Sequence, residues 1–120
     1  MLTIINLTPH AIKLNSGKEF PPSGQVARVS AQYGLRVWID NFGWSTAELL
    51  KDEIYLYEVR YGEIEGLPEP EEDTFYIVSS MVQEAGKKIG RNDLLAPATG
   101  HPETVRNEQG QIVSVPGFVI

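Results

Sequence analysis

Apolar residues recur at every second position along most of this chain, and that period commits it to strands more firmly than any other feature of the sequence. Gln25 to Ser30 alternates, so Val26 and Arg28 face one way and Ala27 and Val29 the other. Leu35 to Ile39 and Ile54 to Tyr61 repeat the pattern, with a short excursion at residues 41–52 between them. Thr3 to Ile5 and Ala11 to Leu14 read as strands on either side of Asn6-Leu7-Thr8-Pro9-His10, where Pro9 disfavours helix at Thr8 and favours a turn. Phe75 to Ser79 is aromatic and β-branched enough for a buried strand.

Helical signals are short. Ser80 to Ile89 suits one helix that ends by Gly90, and Thr46 to Leu50 suits one or two turns capped by Ser45 or Thr46. Asn107-Glu108-Gln109-Gly110 has turn composition between Thr104-Val105-Arg106 and Gln111 to Val115, which predicts a closing hairpin. The apolar ends, Met1 to Ile5 and Phe118 to Ile120, predict paired terminal strands. The expected fold is mainly β, a small antiparallel sheet sandwich or barrel with one or two short helices. With 120 residues, a single domain over 1–120 can build a core without disulfides or metal.

Charge and composition narrow the function classes. There is no cysteine, which removes thiol catalysis and thiolate metal sites. The net charge of −6 argues against long nucleic acids, whose backbones need a basic face. No apolar run approaches the roughly 20 residues of a membrane span and the start lacks a secretory leader, so the expectation is a cytoplasmic protein away from membranes. Glu63, Glu65, Glu69, Glu71, Glu72 and Asp73 hold six of the sixteen acids in a run broken by Gly66, Pro68 and Pro70, which reads as a solvated loop. Its spacing is not that of a calcium loop.

Few residues suggest catalysis. His10 and His101 are the only histidines and neither has a partner at relay or metal-ligand spacing, so no metal site is expected. Ser79-Ser80 lies between a strand and a helix but lacks the flanking glycines of a nucleophile elbow. Gly86-Lys87-Lys88-Ile89-Gly90-Arg91 has neither the spacing nor the Ser/Thr of a phosphate loop. Arginine is the better clue. Arg28 and Arg60 lie on expected strands, Arg91 beside Asn92 on a loop, and Arg106 beside Asn107 at the last turn. Planar guanidinium forks grip phosphate in bidentate fashion and stack on bases, which suits a nucleotide-like ligand. Tyr33, Tyr57, Tyr61, Phe75 and Tyr76 supply stacking surfaces. Pairing of these arginines with the abundant acids is the bland alternative.

Asn6-Leu7-Thr8-Pro9-His10, Pro22-Ser23-Gly24 before Val26-Ala27-Arg28-Val29, and Gly66-Leu67-Pro68-Glu69-Pro70 before Tyr76-Ile77-Val78-Ser79 carry a resemblance over nearly the whole chain, together with Arg91, Asp93-Leu94-Leu95, Pro97, Val105-Arg106, Gly110 and Ile112. Together they resemble small phage and prophage proteins, the phage anti-Thoeris sponge family. The resemblance implies a mostly β homo-oligomer, a dimer or larger, in the cytoplasm of the infected bacterium. It implies a cyclic ADP-ribose isomer, made by TIR enzymes, held intact without a cofactor, with cyclic oligonucleotides as a second class of ligand. It implies a ligand pocket lined by Arg28, Arg60, Asn92, Arg106 and Asn107, with Ile5 beneath the base and Met81 to Asn92, including Arg91, closing over it. Met81 and Val82 stand where an aromatic is expected on adenine, which leaves that role to Phe75 or a tyrosine. Two other readings stay open: a nucleotide hydrolase with His10 as base, and a phage structural or adaptor protein.

Overall fold

The computed structural model describes residues 1–120. It is mainly β, with 37% strand and 12% helix, as the alternation predicts. Contacts divide the chain into two compact units: Met1–Val29 with Ile64–Ile120, and the intervening Ser30–Glu63. Length alone argued for one domain, and the second unit is an excursion from the chain of the first.

The first unit is built on a four-stranded sheet. Its strands are β1 (Thr3–Asn6), β6 (Thr74–Ile77), β7 (Leu94–Pro97) and β10 (Phe118–Val119), in the order β1-β6-β7-β10. β1 and β7 both run parallel to β6, and β10 is antiparallel to β7. Within this sheet the antiparallel expectation therefore holds for β7–β10 alone, whereas β1–β6 and β6–β7 are parallel. The reason is the connection: α2 (Ser80–Lys88) carries the chain from β6 back to the start of β7, which makes the pair parallel. A strand covered on both faces is apolar on both, and Tyr76, Ile77 and Val78 are each no more than 1% exposed. Leu7, Ala27, Val82 and Leu94 join Tyr76 and Val78 in the core, with Ile5, Val29, Ile64 and Leu67 packed around it.

Two short motifs set the ends of α2. Ser79 Oγ accepts from the Val82 amide at 3.3 Å, an N-cap. At the other end Gly90, at φ +84°, lets its own amide reach Lys87 O and the Arg91 amide reach Gly86 O, the paired bonds of a Schellman ending. Val82, Gln83, Ala85 and Gly86 form the buried face. By this face the helix is docked into the core.

Small ladders complete the unit. β2 (Ile12–Lys13) pairs with β3 (Glu19–Phe20), and β8 (Val105–Arg106) with β9 (Ile112–Ser114), both antiparallel. An edge-to-face contact of Phe20 with Phe118, 5.8 Å between centroids, ties the β2–β3 hairpin to the last strand. Both chain ends are paired strands, and Leu2 and Ile120 beyond them are exposed.

The second unit is a long two-stranded ladder, β4 (Arg28–Leu35) with β5 (Tyr57–Glu65), whose first two and last two residues belong to the first unit. Between the strands lies α1 (Thr46–Lys51), where the sequence placed one or two turns. Thr46 Oγ1 accepts from the Trp38 amide at 2.6 Å and holds this connection together. No residue from 30 to 63 is buried.

Candidate functional site

Asn6 shapes the first wall of the site. Its side chain donates to His10 O at 2.8 Å and Phe20 O at 2.9 Å, and accepts from the amide and hydroxyl of Thr8. An amide so fully engaged fixes the Asn6-to-His10 turn, so this run is architecture. The turn presents Pro9 beside the start of β4 and the N-terminus of α2. Together Pro9, Val26, Ala27, Arg28, Val29, Ser79, Met81 and Val82 line a cleft of about 240 Å³ within the first unit. Its floor is apolar. Arg28 is exposed at its rim, and its guanidinium has neither an ion-pair nor a hydrogen-bond partner in the chain.

The adjoining helix end matters because the first four amides of an α-helix have no acceptor one turn back. In α2 the Val82 amide is satisfied by Ser79 Oγ and the Gln83 amide by Ser79 O. Those of Ser80 and Met81 have no such acceptor, and Met81 lines this cleft. An unpaired guanidinium and a helix N-terminus on one apolar cleft form a setting for an anionic oxygen attached to an apolar or aromatic body.

The other expected residues are dispersed. Arg91 grips Asp93 in bidentate fashion, Nε to Oδ1 and Nη2 to Oδ2 at 2.9 Å each, with the side chains 13% and 12% exposed. Those hydrogen bonds are the largest of the influences that raise the Arg91 pKa above its ordinary value. Arg91 therefore braces the α2–β7 turn, and Asn92 beside it is exposed. Arg106 donates from Nη1 to Gly110 O at 2.9 Å and from Nη2 to Thr99 O at 3.4 Å. Asn107 organises its own turn: Oδ1 accepts from the amides of Gln109 and Gln111, and Nδ2 donates to Gln111 Oε1. Ile5 packs against the core. Arg60 lies in the second unit, ion-paired with Glu58. Only Arg28 of the seven lines the cleft.

Comparison with protein-family models, with curated proteins and with solved structures finds no match. The chemistry of the clefts has to carry the functional reading.

Two further clefts occupy the first unit. One of about 290 Å³ runs along His10 to Lys13 and Ile112 to Val115. Another, about 490 Å³, is walled by Ser80, Gln83, Val119 and the Ala96-to-Pro102 segment, and it holds no permanently charged side chain. Gln83, buried in α2, donates to Leu94 O at 3.0 Å and Val119 O at 2.7 Å, pinning β10 beside it. His10 supplies only its backbone carbonyl to the hydrogen bonds of the first cleft's turn. Sequence reasoning missed Pro9 and Ser79 as cleft residues, whereas Met81 and Val82 were placed at the ligand by the resemblance; the signal for the missed pair was the cap sequence that sets the helix N-terminus beside a strand bearing an unpaired arginine.

Proposed function

We propose that this chain binds a small phosphate-bearing, nucleotide-like ligand of the cyclic ADP-ribose class and holds it without cleavage, as a homo-oligomer that withdraws an immune signal in an infected bacterium. The observation that carries the reading is Arg28. An arginine without an internal partner, set on an apolar cleft beside a helix N-terminus, is a phosphate-and-base arrangement and a poor device for internal stability. The larger cleft lacks a fixed cation, and the cleft beside Lys13 has an ammonium, which binds phosphate as a point charge without the planar fork of arginine.

Size argues for more than one copy. A cleft of about 240 Å³ falls short of the roughly 300–1,000 Å³ usual for small-molecule sites, so one chain accommodates a phosphate and part of a nucleoside. A second copy would supply the remaining wall, and symmetry would create two equivalent sites at once. Asn92, exposed and without a hydrogen-bond partner, and the Arg106–Asn107 turn are the polar groups such an assembly would recruit. Retention of the ligand follows from the absence of a base held by an orienting partner at Arg28. Cationic groups alone bind ground state and transition state alike.

Calorimetric titration with a set of cyclic ADP-ribose isomers tests this. Wild type should bind one of them, and Arg28→Ala should weaken that binding about 10–100-fold, the worth of one or two charge-assisted bonds, with an unchanged melting temperature. Equal affinity of the variant, or no binding of any isomer by wild type, would refute the assignment.

A further inference from the structure

Gln83 is 95% withdrawn from solvent, with a relative exposure of 5%, yet half of its amide has no partner inside the chain. Its nitrogen donates both hydrogens, to Leu94 O at 3.0 Å and to Val119 O at 2.7 Å. Both neighbours are carbonyls, which only accept, so the nitrogen has to face them and Oε1 has to point away. No donor of the chain reaches Oε1. Every buried side-chain nitrogen or oxygen has a partner, so an oxygen without one is open to solvent. The opening is the cleft of about 490 Å³ that Gln83 lines. Two hydrogen bonds therefore hold a bare acceptor in a fixed direction at the wall of a cavity.

The rest of this cleft is apolar and uncharged. Ala96, Pro97, Ala98, Pro102 and Val119 form its walls, and no Lys, Arg, Asp or Glu lines it. His101 supplies the complementary group. Its Nδ1 accepts from the Glu103 amide at 3.0 Å, so the neutral ring carries its hydrogen on Nε2 and presents a donor. A charged ligand would lose water here without meeting a counter-charge. An uncharged molecule with an N–H for Gln83 Oε1 and an acceptor for His101, both on an apolar body, satisfies each group. We propose that this cleft binds a neutral amide-type small molecule, an aryl carboxamide or a lactam ring of the nucleobase kind, with its N–H donated to Gln83 Oε1 and its carbonyl accepting from His101 Nε2. The volume lies within the roughly 300–1,000 Å³ usual for small-molecule sites. Selectivity comes from Oε1: a ligand without the N–H leaves a desolvated acceptor unpaired, and such sites reject analogues that lack the matching donor.

This site shares no lining residue with the Arg28 cleft, and the inference stands without the reading given for that cleft. Titration with benzamide and with hypoxanthine, followed by the amide chemical shifts of the protein, tests it and separates the carboxamide from the lactam. At least one of the two should shift the resonances of Gln83 and of residues 98–101 in a saturable way, with a Kd of about 1 mM or below, as befits a fragment of this size. N,N-dimethylbenzamide and 1-methylhypoxanthine keep the apolar body and the carbonyl but lack the amide N–H, and the analogue of the bound probe should bind at least about 10-fold more weakly. These analogues probe Oε1 without altering the protein, so loss of the Gln83 bonds to β10 cannot confuse the result. His101→Phe keeps a ring at an exposed position and removes the donor, and it should weaken the bound probe about 10-fold. Absence of saturable shifts with either probe, shifts confined to other parts of the chain, equal affinity for the methylated analogue, or an unchanged affinity in His101→Phe would overturn the inference.

Discussion

The two units carry the same alternating pattern and differ in what covers it. In the first, Tyr76 and Val78 pack with Leu7, Ala27, Leu94 and Val82 of α2, and with Ile77 they are sealed from water. In the second, Tyr33, Leu35, Tyr57 and Val59 alternate as regularly, yet all are exposed. Period two therefore specifies a strand and two faces, but a face becomes a core only when the topology brings a layer to it. The crossover through α2 does this for the first unit; in the second, α1 contributes no buried residue.

That contrast breaks most readily at its centre. Tyr76→Ala should lower the stability of the protein by about 4 kcal/mol, the usual cost of a large core truncation. Tyr33→Ala should cost no more than about 0.5 kcal/mol. Chemical denaturation of both variants makes the comparison, and equal effects would abolish the distinction between the units.

Glycines sharpen it. Gly66 sits at φ +78°, and a Cβ there would lie 2.3 Å from the Val26 carbonyl oxygen, a backbone atom that cannot swing aside. Gly66→Ala should cost about 3 kcal/mol, combining left-handed strain with overpacking. A Cβ at Gly62 in the second unit meets only the Ser30 hydroxyl at 2.7 Å, which can rotate away, so Gly62→Ala should stay within about 0.5 kcal/mol. Thermal melts of the two variants read the difference.

The smallest effect is alkaline. Burial first, then the nearby Glu71 and Asp93 carboxylates, raise the Tyr76 pKa above its ordinary 10.0, with Arg91 opposing. A phenol harder to ionise folded than unfolded contributes stability that is complete below about pH 10 and lost as pH rises toward the folded value. Tyr76→Phe should flatten that loss while removing the hydroxyl bond to Glu69 O, worth about 1 kcal/mol. Urea midpoints of both proteins between about pH 9 and 11 would show it, and parallel declines would contradict the burial argument.

Much of this was legible in the sequence. Ser79 and Gly90 bracket α2, and Asn107 to Gly110 forms the turn it spells, with the Asn107 amide stitching it. Local chemistry sets such features, so sequence reveals them. Strand order was not legible: nothing in Thr3 to Asn6 states that its partner lies some seventy positions away and runs parallel. The site residues divide for the same reason. Arg91 has its counter-ion two residues on, a local pairing that the Arg-Asn-Asp spelling displays, whereas Arg106 finds Thr99 O through the hairpin's placement. The cleft at Arg28 depends on Pro9, β4 and α2 meeting, which only the assembled sheet decides.

The central claim is that the first unit holds a nucleotide-like ligand at Arg28 and returns it unchanged. Native mass spectrometry of the protein incubated with a set of cyclic ADP-ribose isomers, followed by heat release and chromatography, tests both halves at once. The account predicts an oligomer carrying one ligand per chain and release of a molecule with the mass and retention time of the input. A ligand-free oligomer, or release of linear ADP-ribose or another hydrolysed product, would contradict it.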